Sequence, residues 1–198
     1  VNDYLEADNP LSTDFTISFW VKTSQVAGSE VGQWFDGMSI VDGRIYQDSN
    51  DFGVGIGNSK VLFGTGNAGT DTTIKSNASI ADSSWHHVGV TRTQTGGILK
   101  IYVDGMFDNS GTASDGVVLD AAYLLRIGAT PFSDNFYLGD LDEIRLYTRV
   151  LDDVEVHKLY SYHRNQLLPH TAQTTCYDAS GNEMVCPVAG AALAQDGT

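Results

Sequence analysis

The chain has 198 residues and a mass of 21.4 kDa, which suits one all-β domain with an appendage, and its 41% hydrophobic residues exclude disorder over most of its length. The 11 basic and 25 acidic residues give a net charge of −14, which excludes nucleic-acid binding through a basic groove and disfavours anionic membrane surfaces. The longest apolar stretch near either end, VAGAALA at 188–194, is far shorter than the roughly 18 residues of a membrane helix.

Low charge (18%) and 21 glycines are typical of short strands joined by turns. The first clear strand is predicted within 13–22, where Phe15, Ile17, Phe19 and Val21 alternate with a largely polar outer face. Further strands are predicted, in chain order, within 39–46, 51–64, 85–92, 98–104, 124–128 and 136–147. Short strands without helices between them predict an all-β fold, a two-sheet antiparallel sandwich.

Three dipeptides predict the tightest turns of this sandwich. Asp42-Gly43 lies between the arms of SIVDGRIY, and Asp104-Gly105 lies between IYV and Met106. Asp-Gly predicts a hairpin because glycine tolerates the positive φ of a primed turn. A third turn is predicted at Asn58-Ser59, within the pair of strands at 51–64.

One short helix is predicted in LDDVEVHKLYSYH (151–163). Asp152 and Glu155 have the spacing of a capping box, and Leu151 and Val156 have the spacing of a hydrophobic staple. The helix therefore begins after Asp152 and lies on the sandwich with its apolar face.

The character of the chain changes after the helix, which predicts a sandwich domain at 1–165 and a linker or tail at 166–198. The chain contains two cysteines, Cys176 and Cys186, whose spacing matches no zinc pattern. A small disulfide loop in an oxidising, extracellular compartment is favoured. Two free thiols in a cytosolic protein are the alternative.

Three stretches resemble the laminin-G-like, concanavalin-A-like jelly-roll family of bacterial surface proteins. They are TDFTISFWVKT (13–23), SSWHHVGVTRT with ILKIYVDGM (83–93 and 98–106), and LGDLDEIRLYTRVLDDVEV (138–156). The resemblance covers roughly residues 1–160 and implies two antiparallel sheets with a recognition surface formed by rim loops. Residues 173–187 resemble the opening of a bacterial surface module of the Lcl C-terminal type.

Catalysis is not expected. Glycosidases of this architecture need two carboxylates on one strand face. Asp140 and Asp142 alternate onto one face, but the Glu-x-Asp-x-x-Glu pattern of the related glycanases is missing from the sequence. Fold alone does not supply an activity.

A structural calcium ion is one expectation, centred on Asp142. Strict alternation with Ile144 and Leu146 places Asp142 on the inner face, and a buried carboxylate must be paired or bind a metal. The resemblance implies a calcium ion beside the N-terminal strand, with carbonyl oxygens from 2–6 completing the shell. The alternative is an Asp that accepts backbone N–H groups or pairs with an arginine.

A second calcium site is implied at the rim by the pentraxin branch of the fold. The matching positions are Asp36, Asp134 and Asn135, and a laminin-type arrangement would use Asp51 and Asp120 instead. For each of these residues the alternative is a solvated loop residue, a turn residue or a cap.

Aromatic residues in the predicted loops are candidates for ligand binding. Trp34 and Phe35 lie in GQWFDG, and Phe132 follows a proline. Exposed rings at these positions could stack on sugars or anchor a protein partner. The alternative is that they cover the end of the sandwich.

These observations predict an extracellular, non-catalytic recognition or adhesion module at the cell surface that binds a glycan or protein ligand, with Ca²⁺ as its cofactor. The alternative is a structural subunit or spacer of a surface filament, a homo-oligomer in which residues 188–198 pack on a neighbouring copy.

Overall fold

The structure is a computed structural model that describes residues 4–26, 32–45, 50–67, 69–132, 135–167, 175–177 and 183–185. It divides into two compact units, Val1–Tyr160 and Ser161–Thr198. The strands of the first unit are β1 (Leu5–Asp8), β2 (Phe15–Lys22), β3 (Met38–Asp42), β4 (Phe52–Gly57), β5 (Lys60–Asn67), β6 (Thr70–Lys75), β7 (Trp85–Thr93), β8 (Ile98–Val103), β9 (Met106–Thr112), β10 (Leu124–Ile127) and β11 (Asp140–Tyr147).

These strands form two antiparallel sheets. The six-stranded sheet has the order β1-β10-β3-β4-β5-β6, and the five-stranded sheet has the order β11-β2-β7-β8-β9. Neighbours in each sheet run antiparallel, from β1 against β10 to β8 against β9. The predicted all-β, two-sheet jelly-roll sandwich is confirmed.

The core lies between the two sheets and follows the predicted alternation. Phe15, Ile17 and Phe19 of β2 are buried. They belong to one apolar cluster with side chains from the six-stranded sheet, and the ring centroids of Phe15 and Phe52 are 4.8 Å apart. Burying one such side chain contributes roughly 1.5–3 kcal/mol, so this layer supplies much of the driving force for folding.

Two of the three predicted turns are confirmed. Asn58 and Ser59 join β4 to β5 with φ of 50° and 64°, and Asp104 and Gly105 join β8 to β9 with φ of 51° and 75°. Both pairs have the positive φ values of a primed hairpin turn, which matches the right-handed twist of the flanking strands.

The hairpin predicted at Asp42-Gly43 is wrong. Strand β3 pairs with β4, with Val41 opposite Val54, and the Gly43 N–H donates to the Phe52 carbonyl at 3.0 Å. The chain therefore continues along β4 past Gly43 and does not turn back on itself. Strand β3 pairs with the next strand in sequence, β4, on one side and with β10 on the other, and the Asp42 side chain forms an ion pair with Arg44.

Helix α1 (Asp153–Leu167) begins as its capping box predicts. The Glu155 N–H donates to Asp152 Oδ1 at 2.8 Å, and the Asp152 N–H donates to Glu155 Oε2 at 3.0 Å. Leu151 and Val156 are buried together with Tyr102 on the outer face of the five-stranded sheet. The polar outer face of β2 is thus covered by the start of α1.

In the second unit, two short strands, β12 (Thr175–Tyr177) and β13 (Glu183–Val185), pair antiparallel within the stretch that the sequence predicted as a linker or tail. Cys186 and residues 188–198 lie outside the described residues, and only the backbone of Cys176 is described. The disulfide, the tail contact and the domain boundary at 165 therefore stay predictions.

Candidate functional site

A 3₁₀ turn, Trp34–Asp36, connects to β3 and places its first residue on the outer face of the six-stranded sheet. Glycines let the indole approach closely, because a Cβ atom on Gly53 or Gly64 would collide with the Trp34 ring. The Trp34 side chain is 3% exposed, and its backbone N–H donates to Thr73 Oγ1 at 3.0 Å. Trp34 therefore covers the sandwich and packs beneath the rim, as the alternative interpretation holds.

The Arg44 guanidinium lies among the aromatic rings that the sequence singled out. Its central carbon is 5.3 Å from the ring centroid of Trp34, 5.5 Å from that of Phe35 and 5.4 Å from that of Phe132. A guanidinium within about 6 Å of a ring is attracted by the negative ring face. We call this group of Arg44, Trp34, Phe35 and Phe132 the rim cluster.

A buried carboxylate fixes the guanidinium in the rim cluster. Arg44 Nη2 lies 2.8 Å from Asp42 Oδ2, and Arg44 Nε lies 3.0 Å from the same oxygen. Asp42 is 2% exposed, and burial raises its pKa above the ordinary value although the hydrogen bonds and charge of Arg44 oppose that rise. Because an unpaired buried carboxylate is costly, the pair holds Arg44 in one position.

The rim cluster is partly open to solvent. Phe132 is 45% exposed and Phe35 is half-buried. Asn135 connects the two segments, since its Nδ2 donates to the Phe35 carbonyl at 3.4 Å and its own carbonyl accepts the Ser39 N–H at 3.0 Å. The structure therefore brings four predicted residues, Trp34, Phe35, Phe132 and Asn135, to one place.

The acidic residues predicted at the rim are less informative. Asp36 is exposed, and its Oδ2 accepts the Gln33 N–H at 3.1 Å, which is the capping role of the alternative interpretation. Asp134 lies outside the described residues. Within the described ranges, no group of three or more His, Cys, Asp or Glu side chains could hold a metal ion. Calcium binding at the rim stays a prediction.

The predicted inward orientation of Asp142 is wrong, because its side chain is exposed. In β11, Asp142 lies opposite Trp20 while Arg145 lies opposite Ser18, so three steps along β11 match two steps along β2. The extra residue, Glu143, has a φ of 51°. This is a β-bulge, and a bulge reverses the alternation of side chains on the two faces.

Because of the bulge, apolar residues of β11 face the core both before and after Glu143. Leu141 and Ile144, three residues apart, both pack against the core. Asp142 Oδ1 accepts the N–H of Glu143 at 2.8 Å, the backbone-acceptor role of the alternative interpretation. The argument for a structural calcium ion from a buried carboxylate therefore no longer applies to Asp142.

Sequence reasoning missed Arg44 as a member of the site. The signal was present as Asp42-Gly43-Arg44, an acidic and a basic residue two positions apart at the end of a strand. The Asp-Gly pair resembled a hairpin, and the pattern contains no information on which rings the arginine would contact.

A laminin G family model described as the concanavalin A-like lectin/glucanases superfamily matches residues 1–157. The chain is 28% identical over 170 residues to the Sushi, von Willebrand factor type A, EGF and pentraxin domain-containing protein 1 of Rattus norvegicus, covering 80% of the chain and 4% of that protein. It is 25% identical over 174 residues to the adhesion G-protein coupled receptor V1 of Danio rerio, covering 85% of the chain and 2% of the receptor. The chain thus spans a small part of these relatives.

Solved structures share the fold at lower identity. The receptor-binding domain of botulinum neurotoxin type G superposes with a TM-score of 0.62 at 18% identity, over 91% of this chain and 42% of that one. Domains LG4-5 of the mouse laminin α1 chain give 0.60 at 15% identity, over 77% and 41%. A pentraxin from Limulus polyphemus gives 0.58 at 15% identity, over 79% and 75%.

The described helix is too short and too polar to cross a membrane.

Proposed function

Because the chain belongs to the concanavalin A-like lectin/glucanases superfamily, we propose that it is an extracellular, non-catalytic recognition module that binds a glycan or a protein at the rim cluster. The observation that carries the proposal is the guanidinium of Arg44 held within 5.3–5.5 Å of three rings, one of which is substantially exposed. The partner of this surface would contact Phe132 and Phe35 first.

The physical basis is preorganisation. A flexible arginine loses conformational entropy when it binds a ligand, whereas Arg44 is already fixed by the nearly buried Asp42 and by the surrounding rings. Phe132 offers an apolar surface, and aromatic rings supply contact area at low entropy cost in both glycan and protein recognition.

The relatives support the class of function. The similar solved structures include a receptor-binding domain of a neurotoxin and laminin domains, and one of the similar curated proteins is an adhesion receptor. Binding, adhesion and an extracellular location are carried from those proteins to this chain as part of the proposal. A carboxylate pair arranged as in a glycosidase is not part of the rim cluster as described.

The test is a binding screen of the fluorescently labelled full chain against a glycan array and a panel of extracellular-matrix proteins. The Phe132→Ala variant should weaken binding of any ligand found by about tenfold, which corresponds to about 1.4 kcal/mol. The matched control is Phe107→Ala, because Phe107 is another exposed phenylalanine beside a cation, Lys100, and lies in the other sheet. Equal affinities for the Phe132→Ala variant and the unmodified chain would contradict the proposal.

A further inference from the structure

A second candidate surface shares no lining residue with the rim cluster. A cavity of about 410 Å³ opens between β1 and β11, which are edge strands of the two sheets. We call it the edge groove, and its apolar lining includes Leu5, Ile127, Tyr137, Leu138, Leu141 and Ile144. A cavity of this size falls within the range of natural ligand sites.

Most side chains that line the edge groove are apolar. Two lining side chains carry a polar group, the hydroxyls of Tyr4 and Tyr137. The Tyr137 hydroxyl lies 2.9 Å from the Lys22 carbonyl and 3.1 Å from the Asp140 carbonyl. A hydroxyl has a single proton to donate, and here a backbone oxygen takes it. Burial raises the pKa of Tyr137 to about 12, so the hydroxyl stays neutral. The lining therefore favours an occupant that contributes apolar groups.

Apolar exposure extends beyond the cavity itself. Leu5 is 66% exposed and Leu138 is 63% exposed, and both lie at its mouth. A small molecule confined to the cavity would leave these side chains in water, whereas a polypeptide crossing the mouth would cover them. Neighbouring exposed apolar side chains around a cavity are typical of a protein-binding site.

The strand edges beside the groove favour an extended polypeptide. Among the described strands, β1 pairs with β10 and has its other edge unpaired. An unpaired edge presents a row of N–H and C=O groups that a peptide can extend by strand addition. The edge of β11 is less suitable, because the bulge at Glu143 interrupts its regular spacing.

Charge defines the partner further. Cations next to the groove are in ion pairs, Lys22 with Asp140 at 3.9 Å and Arg126 with Glu6 at 2.9 Å. Asp8 is also exposed, and it lies on the same face of β1 as Glu6. The chain as a whole carries a net charge of −14, which attracts cations at long range.

We propose that the edge groove binds an extended, basic polypeptide segment that adds a strand to β1. Apolar side chains on one face of that segment enter the cavity and cover Leu5 and Leu138. Lysine or arginine side chains on its other face lie near the acidic residues around the groove. The proposal is independent of ligand binding at the rim cluster.

The probe is a synthetic peptide of alternating lysine and valine, KVKVKVK, titrated into the isotope-labelled full chain and followed by NMR. We expect shift changes concentrated in β1, β11 and the segment at 135–139. The Leu5→Asn/Leu138→Asn double variant should bind about tenfold more weakly, since it removes apolar contact at the mouth. Met106→Asn is the matched control, because Met106 is also exposed and lies on β9, the opposite edge of the five-stranded sheet.

Two further peptides test charge and strand addition. EVEVEVE should bind at least tenfold more weakly than KVKVKVK, and a lysine–valine peptide N-methylated at alternate residues should lose binding because it cannot pair with β1. Equal binding of either peptide would overturn the proposal. Unchanged peptide binding by the double variant would also overturn the proposal. So would a groove that binds only a small apolar dye, or only a second copy of the chain, and no peptide.

Discussion

The outer faces of the two sheets each bury a tryptophan, but they do so in different ways. On the five-stranded sheet, Trp20 is stacked on Tyr160 of α1, with ring centroids 5.7 Å apart and an interplanar angle of 25°. On the six-stranded sheet, Trp34 lies against glycine backbone and beneath Arg44. The outer face of the five-stranded sheet is covered by a helix at Trp20. On the six-stranded sheet, Trp34 lies next to the solvent-accessible rings of Phe35 and Phe132.

This difference separates a structural surface from the proposed binding surface. The helix that covers Trp20 begins at its own capping box, and Leu151 and Val156 pack with Tyr102 of the same sheet. The rim cluster is also fixed, but its outermost ring, Phe132, keeps an exposed face. Rigidity together with exposure is what a recognition site needs.

Substitution of either tryptophan should have the largest effect on stability. Trp20→Ala and Trp34→Ala should each lower the free energy of unfolding by about 3–5 kcal/mol, because each removes a large buried ring. Only Trp34→Ala should also remove ligand binding, since Phe35 and Arg44 rest on that indole. Urea denaturation measures the first effect and the array ligand measures the second. Full affinity in the Trp34→Ala variant would show that the rim cluster does not bind.

The next largest effect concerns the buried ion pair. Arg44→Met should destabilise the fold by about 3 kcal/mol, because Asp42 is left buried without its partner. The double variant Asp42→Asn/Arg44→Met should recover part of this loss in the same urea titration. No recovery would mean that Arg44 acts through its ring contacts alone.

The helix that covers Trp20 should respond less strongly. Asp152→Ala should lower the free energy of unfolding by about 1 kcal/mol, because the N–H of Glu155 loses its acceptor. Lys158→Ala, an exposed substitution on the same helix, is the control and should stay within about 0.5 kcal/mol. Neither variant should change ligand affinity at the rim cluster. Weaker ligand binding by the Asp152→Ala variant would contradict the separation of the two outer faces.

A pH-dependent contribution is expected in the five-stranded sheet, at His86 of β7. The hydrogen bond to Asp104, at 2.9 Å, raises the pKa of His86 above its ordinary value although burial opposes it, and Asp82 adds a second bond at 3.2 Å. The folded state therefore binds this proton more tightly than the unfolded state. The stabilisation is complete below about pH 6.5 and is lost as pH rises through the raised pKa. Melting temperatures between pH 6 and 8 should fall, and His86→Gln should flatten the curve; an unchanged slope would contradict the assignment.

The smallest effect is expected at Asp142. Asp142→Asn should change the free energy of unfolding by less than about 0.5 kcal/mol, with calcium or with a chelator, because the exposed carboxylate makes one described bond to a neighbouring N–H. Melting curves of both proteins in both conditions measure this. If calcium raises the melting temperature of the unmodified chain but not that of the variant, Asp142 is a ligand after all.

Local patterns in the sequence determined much of the fold. Alternation placed Phe15, Ile17 and Phe19 in the core, and the Asn58-Ser59 and Asp104-Gly105 turns joined the strands they were expected to join. The capping box set the start of α1. These features were predictable because each depends on residues within a few positions of one another, so backbone geometry alone relates the pattern to the structure.

Tertiary structure decided the rest. The bulge at Glu143 turned Asp142 outward, and alternation could not predict it because a bulge depends on how β11 is matched to β2. Arg44 joined the rim cluster because segments about 90 residues apart in sequence, around Arg44 and Phe132, meet at one end of a sheet. Trp34 became buried because glycines on β4 and β5 leave room for its ring. Local patterns specify which elements form, whereas long-range packing specifies which side chains meet and which remain open to a ligand.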